Sequence, residues 1–265
     1  MTKAESPERT CTFVLVHGAF HGGWCWQRVQ SRLERRGHRV YAPSQTGLGD
    51  RSHLLSKDIT MDTFVADIAN LILNEELNNV ILVGHSFGTR PIIGVADQMP
   101  ERIEHLVFLD GGFPFEGRSR LDGMPVAARE ARIAAAQQFS GGISVPPPPA
   151  EQFGLSERDD IAWVNRRLTP HPLSVDGSPL SLTYELGNGL PCTYVRFTDP
   201  TFAQVEPSAE YARAQSGWDY LEISGGHDAI IANPEPISVL LHQIAMRAST
   251  ASVDQAIAGS PSSLQ

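Results

Sequence analysis

The stretch from Val80 to Thr89, with the sequence VILVGHSFGT, constrains the fold of this chain more than any other. Its apolar, β-branched start predicts a buried strand, and that strand passes directly into GHSFG, which has the spacing G-x-S-x-G. Small residues two before and two after the serine avoid clashes in such a turn, which lifts the hydroxyl above the sheet edge. We therefore interpret Ser86 as a nucleophile rather than as part of an ordinary glycine-serine turn.

Apolar runs alternate with helical patterns on both sides of this motif. The predicted strands are Thr12 to Val16, His38 to Pro43, Val80 to Val83, Ile103 to Leu109, Cys192 to Phe197 and Trp218 to Ile223. The predicted helices include Trp24 to Arg36, Met61 to Leu77, Phe202 to Gln215 and Glu235 to Arg247. This order predicts an α/β fold with a mostly parallel sheet, helices on its faces and right-handed crossovers.

The alternation lapses between about Phe113 and Asn188, where a Gly-Gly pair, four consecutive prolines and short helical patterns occur. A structureless loop of this length is unusual inside a compact domain, so a helical cap over the site is predicted in preference to a floppy insertion. We predict a core over residues 1–112 and 189–248, with the cap inserted at 113–188 after the strand that leads to Asp110. Residues 249–265 are small and polar, which predicts a disordered tail.

The composition of the chain excludes some classes of binding partner and bears on its cellular location. With 265 residues, of which 41% are hydrophobic, the chain can form one large domain with an inserted cap. The net charge of -9, with no run of Lys or Arg, argues against nucleic acid and anionic membrane surfaces as partners. Cys11, Cys25 and Cys192 are too few and scattered for a disulfide framework or a zinc site, so we expect reduced core thiols, no metal and no cofactor. No leader or membrane-spanning pattern is visible, which predicts a cytoplasmic protein.

A serine nucleophile needs a base that accepts its proton and an acid that orients that base. His227 is the best candidate for the base, because it lies in a glycine-rich loop after the last predicted strand. Asp199 follows the strand Cys192 to Phe197 and gives the chain order Ser, Asp, His, so it is the preferred acid. Asp110 is the alternative, since it ends the strand that follows the nucleophile helix.

Further groups are expected around the reacting atoms. The backbone N–H groups of Ala19 and Phe87 are the candidates for an oxyanion hole, where each well-aimed donor contributes roughly 3 kcal/mol. Four side chains are predicted to line the substrate pocket: Phe20, His85, Phe153 and Trp163.

Four stretches together resemble one protein family: HGAFHGGW from His17, GHSFG from Gly84, FLD ending at Asp110, and GHD from Gly226. The chain resembles the α/β-hydrolase-fold carboxylesterases of the branch that holds plant methyl-salicylate esterases and hydroxynitrile lyases, over about residues 12 to 245. The resemblance implies Ser86, Asp199 and His227 as the triad and Ala19 with Phe87 as the oxyanion hole. The lyases that this chain resembles carry Thr in place of Gly18 and Lys in place of Asp228, which favours the esterase.

The function predicted from the sequence is that of a serine carboxylesterase acting through an acyl-enzyme on a small or medium, partly apolar ester. Two alternatives stay open: a lyase or a lactone- or polyketide-modifying enzyme on the same triad, and a hydrolase-like receptor for a small ligand. A homodimer is also left open.

Overall fold

The computed structural model describes residues 9–258. The strands are β1 (Thr12–Val16), β2 (Arg39–Tyr41), β3 (Val80–His85), β4 (Ile103–Leu109), β5 (Ser144–Val145), β6 (His171–Pro172), β7 (Cys192–Phe197) and β8 (Trp218–Ile223). The helices are α1 (Gln27–Arg35), α2 (Met61–Asn74), α3 (Thr89–Gln98), α4 (Val126–Ser140), α5 (Arg158–Asn165), α6 (Leu173–Gly177), α7 (Glu206–Ala214), α8 (Ala229–Ala232) and α9 (Pro234–Ala258).

Six strands form one sheet in the order β2-β1-β3-β4-β7-β8, and every pairing in it is parallel. All residues of β3 and β7 are buried, and most of them are apolar, whereas the edge strands β2 and β8 are partly exposed. Two apolar clusters cover the two faces of the sheet. The predicted α/β architecture with a mostly parallel sheet is therefore confirmed.

The arrangement of the sheet also positions the candidate site. Strands β1, β3, β4 and β7 are neighbours, so the loops that follow their carboxyl ends meet at one edge. These loops carry Gly18, Ser86 and Asp110.

The segment between β4 and β7 holds α4, α5, α6 and a small antiparallel pair formed by β5 and β6. We call residues 113–188 the cap segment. Its side chains Ala136, Val145 and Phe153 form an apolar cluster with Phe20, which belongs to the loop after β1. The pair β5–β6 and the helices α6 and α8 were not among the elements predicted from the sequence, because two to five residues are too few to show a periodicity.

The end of the chain differs from expectation. Helix α9 continues to Ala258, so residues 249–258 are helical where a disordered tail was predicted. The rest of that predicted tail, 259–265, lies outside the described residues.

Cys11, Cys25 and Cys192 are all free and buried, as expected of core thiols. Within residues 9–258, no helix combines the length and apolar character that crossing a membrane requires.

Candidate active site

Ser86 sits in a sharp turn between β3 and α3, with a positive φ of 54°. A side chain at Gly84 would place its Cβ 2.7 Å from the carbonyl oxygen of Gly88, and one at Gly88 would come within 2.5 Å of the carbonyl oxygen of Val16. Only glycine therefore fits at either position. This close packing explains why the G-x-S-x-G motif has glycine at both positions.

His227 lies in the loop after β8 and is buried. Its Nε2 is 2.7 Å from Ser86 Oγ, which is hydrogen-bond distance for a base that accepts the serine proton. The imidazole stacks on Phe202, with ring centroids 3.9 Å apart. Phe202 was not predicted as a site residue, and nothing in its local sequence marks it.

The carboxylate beside His227 belongs to Asp110 and not to Asp199, which was the preferred candidate from the sequence. Asp110 Oδ2 lies 2.6 Å from His227 Nδ1, whereas Asp199 is exposed and its backbone N–H donates to the carbonyl of Gly225. The reason is strand order. Asp110 ends β4, the strand next to β3, and its φ of 44° turns the chain immediately after the strand. The sequence did contain this signal, because Asp110 was recognised as the strand-end alternative.

The carboxylate of Asp110 is fully buried and accepts three hydrogen bonds. Besides His227, its donors are Arg196 Nη1 at 2.5 Å and the backbone N–H of Phe197 at 3.2 Å. Burial lowers the pKa of Arg196, but the hydrogen bond and negative charge of Asp110, together with Glu206, outweigh this and raise it. Arg196 is thus a permanent cation that fixes the orientation of the acid.

The loop after β1 lies directly against the serine. A Cβ at Gly18 would be 2.9 Å from Ser86 Cβ. His17 Nε2 accepts a hydrogen bond from the backbone N–H of Gln45 at 3.0 Å, so Nδ1 carries the proton and donates to the Gly18 carbonyl at 2.8 Å. Burial lowers the pKa of His17 to about 3, which keeps this tautomer neutral.

The bond from His17 bears on the predicted oxyanion donor. The Gly18 carbonyl and the Ala19 N–H belong to one planar peptide and point in opposite directions. By holding the carbonyl, His17 therefore orients the Ala19 N–H. The second predicted donor, the N–H of Phe87, lies in the first turn after Ser86, where helix N–H groups lack intrahelical partners.

A buried ion pair supports the same loop from its other side. His21 Nδ1 lies 2.8 Å from the Ala19 carbonyl, and its Nε2 lies 3.1 Å from Asp228 Oδ2. Burial opposes charge on both side chains. Their mutual attraction outweighs it, raising the pKa of His21 and lowering that of Asp228.

The predicted pocket residues separate into two groups. Phe20 and Phe153 share an apolar cluster, and the Phe153 ring stacks 6.3 Å from that of His227. His85 and Trp163 make contacts of another kind. His85 is buried and donates from Nε2 to the carbonyl of His227 at 2.7 Å, so it holds the base from behind. Trp163 packs edge-on against Trp24, with ring centroids 5.0 Å apart.

Trp163 also has the guanidinium groups of Arg28 and Arg167 over its ring, at 5.3 and 4.7 Å. These contacts join the cap segment to Trp24 and Arg28 of the core.

Among the described residues, no group of three His, Cys, Asp or Glu side chains is arranged to hold a metal ion.

The chain is similar to known proteins over most of its length. Residues 13–238 match the alpha/beta hydrolase family. The chain is 36% identical over 239 residues to the carbendazim hydrolyzing esterase of Nocardioides sp. (strain SG-4G), covering 85% of this chain and 96% of the relative. It is 40% identical over 111 residues to the alpha-hydroxynitrile lyase of Arabidopsis thaliana, covering 40% of this chain and 42% of the relative.

A solved structure agrees over most of the chain. An extracellular alpha/beta-hydrolase from a Paenibacillus species, described as sharing structural and functional homology with tobacco salicylic acid binding protein 2, superimposes with a TM-score of 0.77 at 25% identity. The superposition covers 88% of this chain and 98% of that one. The resemblance found in the sequence is confirmed.

Proposed function

Since this chain belongs to the alpha/beta hydrolase family and is a hydrolase that acts on esters, we propose that it is a serine carboxylesterase with Ser86, His227 and Asp110 as its triad. The observation that carries the proposal is the unbroken line of hydrogen bonds from Ser86 Oγ through His227 to Asp110, at 2.7 and 2.6 Å. This line supports the proposal, because acyl transfer by a serine requires a nucleophile, a base and an acid in hydrogen-bond contact.

In the proposed mechanism, Ser86 Oγ attacks the ester carbonyl and its proton passes to His227 Nε2. Asp110 accepts the hydrogen bond from Nδ1–H and stabilises the imidazolium that forms. The N–H groups of Ala19 and Phe87 stabilise the oxyanion of the tetrahedral intermediate. His227 then returns the proton to the departing alcohol, which leaves the acyl group on Ser86.

Deacylation repeats these roles with water. His227 takes a proton from the water as the water attacks the acyl carbonyl, and then protonates Ser86 Oγ as the acid product departs. The apolar neighbours of the triad, Phe20, Phe153 and Phe202, favour a small or medium ester with an apolar part. The cap segment supplies Phe153 and thereby covers the site.

The lyase alternative is disfavoured by two positions. The Thr that those lyases carry in place of Gly18 would bring its Cβ within 2.9 Å of Ser86 Cβ, so the loop after β1 would have to shift. Where they carry Lys, this chain has a buried Asp228 paired with His21, an anion in place of a cation. The receptor alternative requires that the site bind a small ligand without hydrolysing it.

The deciding experiment combines a small serine-directed phosphonate with a panel of 4-nitrophenyl esters. We expect the phosphonate to add to Ser86, as seen by intact mass and peptide mapping, and Ser86→Ala to lose both labelling and at least about 10³-fold in rate. Labelling elsewhere, or near-native turnover by folded Ser86→Ala, contradicts the proposal. Ligand binding without labelling or turnover supports the receptor.

A cytoplasmic location and a possible homodimer stay predictions from the sequence. Hydrolysis by this proposal requires no metal or cofactor.

A further inference from the structure

Three arginine side chains lie around the two phenylalanines that adjoin the proposed oxyanion donors. The guanidinium carbons of Arg90 and Arg120 lie 6.0 and 5.7 Å from the ring centroid of Phe87. That of Arg132 lies 5.7 Å from the ring centroid of Phe20. We call these three residues the arginine cluster. Arg90 belongs to α3, the helix that begins beside Ser86, and the other two belong to the cap segment.

The rings that these arginines cover are joined by His171. Its imidazole lies 4.9 Å from the Phe87 ring and 5.6 Å from the Phe20 ring. His171 is fully buried, and burial lowers its pKa despite the nearby Asp176. Its Nε2 lies 3.4 Å from Asp176 Oδ1, so His171 lies beside both rings and the carboxylate, and a neutral imidazole there adds no positive charge.

Among the described residues, Asp176 is the carboxylate that contacts this cluster. Its Oδ1 lies 3.0 Å from Arg120 Nη1, and its Oδ2 lies 2.6 Å from Arg132 Nε. Arg90 does not bond to it and instead donates from Nη2 to the Phe113 carbonyl at 3.2 Å. Arg120 and Arg132 therefore share one buried carboxylate and Arg90 contacts none in the described part of the chain, so the cluster carries more positive than negative charge.

Two guanidinium nitrogens of the cluster are also without a hydrogen-bond partner. Arg90 Nη1 and Arg132 Nη2 are both buried and have no acceptor within the part of the chain that the structure describes. Arg90 as a whole is only 9% exposed. A buried donor on a charged group costs free energy unless an acceptor reaches it, and an uncompensated buried charge costs more.

We propose that the arginine cluster is a subsite for a carboxylate carried by the ester substrate, at a position other than the ester that is cleaved. This inference rests on the proposed esterase function and adds to it the class of substrate. A planar carboxylate presents two oxygens, and guanidinium groups match that geometry with paired, charge-assisted hydrogen bonds. The two unpartnered nitrogens are the donors available for it.

The position of the cluster relates the subsite to the reaction. Phe87 directly follows the proposed nucleophile and supplies one proposed oxyanion N–H, and Phe20 directly follows Ala19, which supplies the other. A substrate with its ester at Ser86 and a short apolar spacer along these rings would bring a terminal carboxylate to the arginines. Phe20 and Phe87 then contact the spacer, and the cluster recognises its charged end.

The test compares matched pairs of esters that differ only in the terminal carboxylate. Monomethyl adipate against methyl hexanoate tests a carboxylate in the acyl part, and 6-acetoxyhexanoate against hexyl acetate tests one in the alcohol part. We expect the wild-type protein to prefer the charged member of at least one pair in kcat/KM by about tenfold or more, as a hydrogen bond to a charged group predicts. Preference for the neutral member in both pairs overturns the proposal.

The variants Arg90→Met and Arg120→Met keep an apolar stem and remove the charge. Each should lower the ratio of charged to neutral kcat/KM by about tenfold, while Arg166→Gln, at an exposed arginine of the same cap segment, should not change it. Arg90→Met is the more informative variant, because Arg90 does not hold Asp176 and its loss leaves that carboxylate paired. An unchanged ratio in folded Arg90→Met and Arg120→Met contradicts the subsite.

Binding to Ser86→Ala by calorimetry separates the subsite from the chemistry. That variant should bind monomethyl adipate about tenfold more tightly than methyl hexanoate, and adding Arg90→Met should remove the difference. If the phosphonate fails to label Ser86 but this charge preference persists, the esterase proposal fails and the carboxylate site stands as a binding site. If labelling succeeds but no preference exists in binding or rate, the subsite alone is wrong.

Discussion

Asp110 Oδ2 lies 2.6 Å from His227 Nδ1, although the two residues are 117 positions apart in the chain. Asp110 reaches this place because β4 lies beside β3 in the sheet, so the end of β4 is the neighbour of the serine turn. Arg196, on the next strand β7, then holds the carboxylate from the other side. Three adjacent strands thus lead to the proposed nucleophile, the proposed acid and the cation that holds that carboxylate.

The first prediction concerns this acid. Asp110→Asn should lower kcat/KM on an activated ester by about 10²- to 10⁴-fold near neutral pH, because an amide stabilises imidazolium poorly and can favour the wrong imidazole tautomer. It should also destabilise the fold by about 2 kcal/mol, since Arg196 would lose the buried one of its two anionic partners and keep only the partly exposed Glu206. Steady-state kinetics and urea unfolding of the same preparation measure both effects.

Asp199→Asn is the matched control, because Asp199 follows β7 but is exposed. We expect a change in rate of less than about threefold and little change in stability. A dead but folded Asp199→Asn, with an active Asp110→Asn, would return the acid to the position first preferred from the sequence.

A second prediction uses the close approach of the β1 loop to the serine. Gly18→Ala should lower kcat/KM by about tenfold or more, because its Cβ would lie 2.9 Å from Ser86 Cβ and 3.3 Å from the hydroxyl oxygen. Gly112→Ala is the comparison, since a Cβ there meets no atom within 4 Å. Equal activity of the two variants would mean that the loop moves away without cost.

The third prediction separates the two aromatic residues of the cap segment. Phe153→Ala should change the relative kcat/KM values among esters of different size, because Phe153 stacks near His227. Trp163→Ala should leave those relative values within about twofold while lowering stability by roughly 2 kcal/mol or more, since it removes the contact with Trp24. The measurement is a panel of 4-nitrophenyl esters with a thermal melt. Altered selectivity in Trp163→Ala alone would place the pocket elsewhere.

The fourth prediction concerns stability and pH. Burial lowers the pKa of His17 and of His85 to about 3 and that of His105 to about 4. The unfolded chain therefore binds more protons than the native protein below about pH 6.5, so stability falls as pH falls from 6.5. Each histidine contributes a slope of up to about 1.4 kcal/mol per pH unit. The raised pKa of His21 acts in the opposite direction, but above pH 6.5.

Urea unfolding at pH 6.5 and pH 5 should therefore show a loss of about 3 kcal/mol or more at the lower pH. His105→Gln should reduce that loss by about 1 to 2 kcal/mol, because it removes one titrating group. His105 bonds to Thr193 and takes no part in the proposed mechanism, so the variant tests linkage alone. A free energy of unfolding that does not change between the two pH values would contradict the buried, neutral state of these histidines.

The sequence predicted the strand pattern, the serine turn and the position of His227, because each depends on residues close together in the chain. A strand buried on both faces is mostly apolar, and a turn packed against Val16 and its neighbours admits only glycine at positions 84 and 88. The last strand leads into a glycine-rich loop, and His227 in that loop is the histidine best placed to act as the base. These requirements are met by residues close together in the chain, so their spacing predicts them.

Which of Asp110 and Asp199 lies beside His227 is seen only in the tertiary structure. Both follow parallel strands, and which carboxylate reaches the imidazole depends on strand order and on the backbone turn at each strand end. The arginine cluster shows the same limit, since α3 and two parts of the cap segment bring its members together around Phe20 and Phe87. Sequence by itself determined the fold and the nucleophile, because local packing and backbone geometry restrict them. The carboxylate beside His227 and the members of the arginine cluster depend on contacts between distant segments, which no local pattern encodes.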